Sequence, residues 1–512
     1  MGYGTKLVCI TVLAIAGLSY LLVNNPASSQ RGSNSDLPVS QQVLTLYCAA
    51  GIKPAVLKAT QAFQQEYGVQ VNIEYGGSGT LLSRIEIAPV GDLYIAADSS
   101  YIDKAKEKGL VDERLPLAKM KPVIAVQKGN PKGIMSVSDL ARPDVKLALG
   151  NPGASSIGRQ TKILLEKVDF WEAVEDNATK QGVFKPTVPE IANDVKLGVV
   201  DAAVVWDATV NQYPELEAIS VPEFNVAEKN VTIAVLKSSK NPTTALRLAR
   251  YLNSVEGNKI FKESGFVPVV GDDWAWEPEI TFYCGSLNRR AIKDAIKDFQ
   301  KREGVIINTK YNGCGILTSD MKLIKSGSSV QNFPDVYMAC DRYYLDNVSD
   351  WFQEDTNVSQ TEIVIVVPKG NPANIKRLRD LAKPGVKLSL GQPEQCTIGA
   401  LSKILLVRAG IYDQVMNNVA VQTASSAMLI PTVVKTKHME TVLDATLAYK
   451  VDTMDVSDQV DVIPIRGMEA MAIQPFSLST SSNFKFLGRR LKQKIIRSEA
   501  DFDRSGFEFL AK

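Results

Sequence analysis

Tyr75-Gly76-Gly77-Ser78-Gly79 returns later in the chain as Tyr311-Asn312-Gly313-Cys314-Gly315, and the blocks around this pair recur in the same order. Upstream, Leu46-Tyr47-Cys48 returns as Phe282-Tyr283-Cys284, with Phe63 and Phe299 following at equal distance. Downstream, Asp92-Leu93-Tyr94-Ile95-Ala96-Ala97-Asp98 returns as Asp335-Val336-Tyr337-Met338-Ala339-Cys340-Asp341, and Lys128-Gly129-Asn130-Pro131 as Lys369-Gly370-Asn371-Pro372. Gly150-Asn151-Pro152 with Ile157-Gly158 matches Gly391-Gln392-Pro393 with Ile398-Gly399, each ahead of a Lys-Ile-Leu-Leu run. Ordered matches whose spacings drift by only a few residues identify an internal duplication. The copies run 43–270 and 280–512, within modules bounded at 41–272 and 273–512.

Each copy alternates strand and helix patterns. Val43 to Cys48 reads as a short apolar strand, Pro54 opens a helix that runs to Tyr67, and Val69 to Tyr75 alternates at period two. Helix 79–87, strand 92–96 and helix 99–108 follow, the βαβαβ rhythm of a parallel sheet. After Pro116 a strand over Pro122 to Gln127 leads to a second α/β unit with strand 145–149, helix 158–167 and strand 202–206. A return strand, Val231 to Leu236, then feeds helix 241–254. Two crossings thus separate two lobes and leave a cleft at the carboxyl ends of their strands, where open sheets bind ligands. Lys128 and Lys369, each before a Gly-Asn-Pro turn, read as hinge-related, and Asp98 and Asp341 as caps of the helices that follow them.

A chain of 512 residues is too long for one core. Its 58 basic residues against 56 acidic ones give no global field for nucleic acid or an anionic membrane. The single histidine, His438, excludes a histidine-rich metal site and leaves the first copy without a Ser-His-Asp or Cys-His set. The chain reads as a binder and not an enzyme, and it needs no cofactor. Lys6 precedes a mostly apolar run from Leu7 to Val23, and residues 24–40 are rich in Ser, Asn, Gln and Pro. Residues 1–40 therefore read as a signal peptide or membrane anchor plus linker, which places the modules outside the cytoplasm, in the periplasm, with a tether through residues 7–23 if the segment is retained.

Two loops of the first copy suit an oxyanion. Gly76-Gly77-Ser78-Gly79-Thr80 lies between a strand and a helix, so backbone N–H groups and the Ser78 and Thr80 hydroxyls can meet a negative guest at a helix N-terminus. Gly150 to Gly158 repeats the arrangement in the second lobe. Neither is a Walker loop, because no lysine follows the glycines before the Ser or Thr. An anion would be held by dipoles and uncharged donors. Trp206, at the end of an apolar strand, has Tyr449 as its counterpart, and either ring could wall the cleft with a donor or serve as core.

On these loops and this organisation, both copies resemble the periplasmic molybdate/tungstate-binding proteins of ABC uptake systems. The resemblance implies tandem periplasmic-binding-protein-like type II modules, each of two α/β lobes with a hinge and an interlobe cleft. It also implies a small oxyanion held by serine hydroxyls, backbone N–H groups and often a tyrosine, and delivery to an ABC permease. The first family serine falls near Ala50 or Gly51, which lack the hydroxyl, and near Ser286 in the second copy. The second matches Ser78, beside Gly79, and Cys314. The second-lobe N–H contacts match Ser156 or Ile157 and the region of Val188, with Thr397 in the second copy. Trp206 stands where the family tyrosine would be, and Tyr449 keeps it. These departures leave sulfate, phosphate and organic carboxylates open beside molybdate and tungstate. A membrane-tethered sensory or scaffolding receptor with a diverged second module is the alternative.

Four of the six cysteines, Cys284, Cys314, Cys340 and Cys396, fall in the second copy at strand ends or cleft loops. Cys314 takes the place of Ser78, Cys340 that of Ala97, and Cys396 that of Ser155. Three readings are open: one or two disulfides, a soft-metal site made by these four thiolates, or inert buried thiols. Cys314 and Cys340 are expected to be near neighbours.

Overall fold

The computed structural model describes residues 42–329, 331–434 and 442–511. The expected export or anchor segment, residues 1–40, and His438 lie outside the described residues. Among the described residues no helix is long and apolar enough to cross a membrane.

In the first lobe, β1 (Val43–Ala49), β2 (Gln70–Gly76) and β3 (Leu93–Ala96) pair in parallel, with β1 between the other two. β3 is buried at every position because helices cover both faces of the sheet, so its sequence is a continuous apolar run. The first helix, Lys53–Tyr67, starts with proline in its first turn and stops at Gly68, whose φ of 71° supplies the left-handed cap. β4 (Val111–Met120) then runs to the hinge, where Lys121 alone separates it from β5 (Pro122–Gln127) in the second lobe. The second lobe adds β6 (Leu147–Gly150), β7 (Val183–Lys185), β8 (Ala202–Trp206) and β9 (Leu216–Ile219), in the order β7-β6-β8-β5-β9. β10 (Lys229–Leu236) returns to the first lobe between β3 and β4, and β11 (Val267–Pro268) closes that sheet's edge.

The βαβαβ strands are parallel as expected, and the strands next to the crossings add antiparallel pairs. β10 pairs antiparallel with both β3 and β4, and β5 with both β8 and β9. The reason is topological: a segment that crosses from one lobe to the other enters the new sheet at its cleft end and runs against the strands that point toward the cleft. The Lys128 turn is a correction to the hinge reading. It follows β5 at the end away from the hinge, where the Asn130 side chain closes a turn onto Ile134, and Lys369 lies in the matching turn of the second module. The first hinge is instead at Lys121, whose N–H donates to Asp207 (3.1 Å) and whose carbonyl accepts from the Asp207 N–H (2.9 Å).

The second module repeats the plan with β12 (Glu279–Gly285), β13 (Ile306–Asn312) and β14 (Val336–Met338) in the first lobe. Here hinge and flanking strands fuse into one long β15 (Phe352–Pro368) that passes through both lobes. β16 (Leu388–Gly391), β17 (Val419–Thr423), β18 (Ala445–Tyr449) and β19 (Val460–Pro464) form the second lobe, and β20 (Met471–Ser479) returns to the first, with β21 (Glu508–Phe509) at its edge.

The modules join through their first lobes. Trp276, in the linker, stacks on Tyr67 at 4.7 Å, and Trp274 donates its indole N–H to the Tyr67 hydroxyl. Asp272 accepts from the N–H groups of Phe486 and Leu487, both at 2.9 Å, capping the helix Lys485–Ile496 of the other module. Glu303, 2% exposed, lies between Arg250 of the first module and Arg490 of the second, taking a bidentate pair from Arg490 at 2.9 and 3.0 Å. Burial alone would push the Glu303 carboxyl up, but the two guanidinium groups hold it below the ordinary range. Removing the carboxylate with Glu303→Ala leaves two buried cations uncompensated and should cost about 3–5 kcal/mol. Arg302→Ala, which breaks a more exposed pair with Glu113, should cost only about 1 kcal/mol. Urea unfolding of both variants checks the contrast.

Candidate functional site

Four chain segments meet between the lobes of the first module. From the first lobe come the short turn Ala50–Ile52 after β1 and the N-terminus of the helix Ser78–Ile87 after β2. From the second come the N-termini of helices Ser156–Glu166 and Val188–Lys196. The glycines permit this approach. A methyl group at Gly77 would strike Ala154 O and, at 2.6 Å, Pro186 O, and one at Gly79 would lie 2.5 Å from Gly153 O. A methyl group at Gly51 would touch Val188 at 3.6 Å. Gly51, Gly77 and Gly79 of the first lobe therefore lie against residues 153, 154, 186 and 188 of the second, and Ala50, Ser78, Ser156 and Ile157 adjoin these contacts along the chain, where three helices begin.

The N–H groups of this ring are not all free. Gly79 N–H donates to Ala154 O at 2.9 Å, and Thr80 N–H to the same oxygen at 3.3 Å. Gly79 thus ties lobe to lobe, where the sequence reading made it a donor to the guest. Thr80 is exposed. Ser78 differs: its Oγ accepts from Ala97 N–H at 3.2 Å, which leaves its own proton to give, and the Tyr94 hydroxyl fixes its carbonyl at 2.7 Å. Ser155 is used locally, accepting from Gly158 N–H at 3.1 Å as a helix cap. Asp98 and Asp341 likewise cap their helices, through Ser100 N–H and Tyr343 N–H.

Trp206 ends β8 opposite Pro122, the first residue past the hinge, so it stands on the cleft side of the second lobe. Its ring is 1% exposed and its indole N–H has no hydrogen-bond partner. Tyr449 holds the matching place on β18, and its hydroxyl is also buried and unpartnered. Burial pushes the Tyr449 phenol well up, so it keeps its proton and stays a donor at neutral pH. Sequence reasoning missed Arg159, one helical turn beyond Ser156, which reaches across to the Ser100 hydroxyl at 2.6 Å and latches the lobes.

In the second module, Ser286, Cys314, Thr397 and Tyr449 line one cavity of about 10 Å³ together with Cys340, Cys396 and Ser426. That is room for about one water. Ser426, which stands where the first module has Val188, went unrecognised because the β17 region carries no glycine signal. All five described cysteines are free, which corrects the disulfide reading. Among the described residues no three cysteine, histidine or acidic side chains group as metal ligands, which corrects the four-thiolate set. The thiols turn different ways: Cys284 toward Gly285 O, Cys396 toward Gln392 O and Thr423 O, while Cys314 accepts from Cys340 N–H at 3.1 Å. Burial pushes the Cys314 thiol up, yet the Cys340 thiol, the Thr397 hydroxyl and the Cys340 N–H beside its sulfur outweigh burial and hold it below the ordinary thiol range. Donating to that sulfur holds Cys340 well above the ordinary thiol range.

The profile of the bacterial extracellular solute-binding protein family matches residues 44–267 and again 280–487. The chain belongs to that family. It is an extracytoplasmic, non-catalytic solute-binding protein built as a tandem of two such modules. A putative binding protein of Haemophilus influenzae is 31% identical over 44% of this chain and 91% of its own length. Molybdate-binding protein ModA of Mycobacterium tuberculosis is 25% identical over 52% of this chain and 98% of its own. A sulfate-binding protein of Salmonella typhimurium is 26% identical over 40% and 71%.

Two outcomes check the geometry. Gly79→Ala places a methyl group against the second-lobe carbonyls and should hold the first module open, read as a larger radius of gyration in X-ray scattering and a loss of the closed form. Near the second cavity, burial pushes the Asp452 carboxyl up to about 7, partly offset by the Ser426 hydroxyl. The unfolded chain releases that proton near pH 4 while the folded chain keeps it to about 7, so stability falls as pH rises through this window. Asp452→Asn should match the parent at pH 4 and exceed it at pH 7.5 by on the order of 1 kcal/mol or more in thermal melts.

Proposed function

We propose that the first module captures a small tetrahedral oxyanion of the molybdate, tungstate or sulfate kind and presents it to an ABC permease. The observation that carries this reading is the pair of unpartnered donors, the Trp206 indole N–H and the Tyr449 O–H, at one position of two duplicated clefts. A buried donor without an acceptor costs about 1–3 kcal/mol, so its retention twice argues for a guest that accepts from it. Ser78, with a proton still to give, and three helix N-termini supply the remaining donors. Arg159 is tied to Ser100 and Lys53 lies over the Tyr75 ring, so the donors left for the guest are the uncharged Ser78 and Trp206 groups and the helix dipoles. This suits an anion that must be released again when the lobes part. Relatives named for molybdate and sulfate binding support the same chemical class.

Titration calorimetry of the whole chain with molybdate, tungstate, sulfate and phosphate should find at least one that binds at micromolar strength or better. Trp206→Phe keeps a ring and deletes the donor, and Ser78→Ala deletes the hydroxyl. Each should weaken that anion about 10-fold or more, with circular dichroism of the free variants matching the parent's to show that the fold is kept. Silence toward all four anions would sink the proposal.

A further inference from the structure

The second cleft keeps the closing apparatus of the first and changes its lining. Gly313 lies against Gln395 O and Ala424 O, as Gly77 does against Ala154 O and Pro186 O. What differs is the chemistry of the wall: sulfur stands at Cys314, Cys340 and Cys396 where the first module has Ser78, Ala97 and Ser155. A methyl group at Gly285 would collide with both the Cys340 and Cys314 sulfurs, so the two lie within about 5 Å of each other, on one lobe and facing one cavity. Cys396 faces the same cavity from the opposite lobe.

Placement decides what such thiols are for. A structural disulfide has no need of the ligand pocket, and these sulfurs are unbridged. A hard tetrahedral oxyanion gains little from exchanging Ser78 hydroxyl chemistry for a thiol, whose S–H is a weak donor. Soft sulfur favours a guest whose central atom takes sulfur in place of oxygen. Bonded sulfur also sits closer to that atom than a hydrogen-bonded hydroxyl would, which suits a cavity of about 10 Å³.

We propose that the second module is a capture site for a thiophilic trivalent oxoacid of the arsenous acid class, held by Cys314 and Cys340. This builds on the reading of the clefts as traps for small oxo-compounds. Each thiol condenses with one hydroxyl of the acid: an S–As bond forms, an As–O bond breaks, and the thiol proton leaves with the hydroxyl as water. Two waters are released and arsenic stays trivalent, so no oxidant or reductant is needed. The thiolate is the attacking form, and Cys314, with donors facing its sulfur, is the first to react. The third hydroxyl of the acid remains as an acceptor for the unpartnered Tyr449 O–H, which lines the same cavity.

The test uses the reduced whole chain and sodium arsenite. Native mass spectrometry should find one adduct per chain, heavier by arsenous acid less two waters, with a rise in melting temperature. The double variant Cys314→Ser and Cys340→Ala, which restores the residues of the first module, should weaken capture at least about 100-fold while keeping the parent's circular dichroism. Cys284→Ala, outside the cavity, should capture arsenite as the parent does and serves as the control for folding. Absence of the adduct in reduced protein, or equal capture by the double variant, overturns the proposal. Molybdate, tungstate and sulfate titrated into the parent and into its Trp206→Phe variant report on the first cleft separately. Silence there with arsenite capture intact in the parent overturns the oxyanion reading of the first module, and the converse pattern overturns only the thiol site.

Discussion

Each module depends on backbone lying against backbone across its cleft. At Gly77 and Gly79 the first lobe comes so near the carbonyls of residues 153, 154 and 186 that not even a methyl group fits, and Gly313 and Gly315 do the same in the second module. This contact sets what the clefts can be. Lobes that meet through peptide groups bring their helix N-termini within reach of one small guest, and they do so whichever side chains line the remaining space. It also makes closure reversible, because two hydrogen bonds to Ala154 O are a modest net gain that solvent can replace when the lobes part.

That division between backbone machinery and side-chain lining explains how the copies diverged. The elements that close the clefts recur: glycines at the first-lobe loop, capped helices after the strands, and a ring with a polar tip at the end of β8 and β18. The side chains at the proposed ligand positions do not. Cys314 stands at the place of Ser78, Ser426 at that of Val188, and Trp206 at that of Tyr449. Changing the lining leaves closure intact, so a duplicated module can acquire a different guest without having to fold differently.

The sequence made much of this visible, and physics accounts for what it hid. Strands 122–127 and 202–206 are found where expected because both faces of each are covered and the runs are apolar throughout. β4 was missed because Asp112, Glu113 and Arg114 and then Pro116 break its pattern; it is a partly exposed hinge strand whose register is irregular. The Gly-rich loops and the Trp206 position were legible from their places at strand ends. The nearness of Cys314 and Cys340 was legible too, but the engagement of the Gly79 N–H by Ala154 and the Arg159 latch were not, since each depends on how one lobe faces the other. The same blindness produced the Lys128 hinge reading: a Gly-Asn-Pro turn looks alike at either end of a strand.

The way the modules are joined limits how they can influence one another. Among the described residues, the strong contacts between them, from Glu303 with Arg250 to Asp272 on the helix Lys485–Ile496, involve first-lobe and linker residues. The second lobes carry Trp206, Ser156, Cys396 and Tyr449 and are the parts that must swing. Opening one of them breaks the contacts at its own cleft, such as Gly79 with Ala154, and leaves the buried Glu303 cluster untouched. A guest shifts an equilibrium only by the difference in its affinity for two states, and the contacts between the modules lie outside the lobes that swing. On the proposed reading the two clefts are joined only through first lobes and linker, so each second lobe can swing while the contact between the modules stays in place.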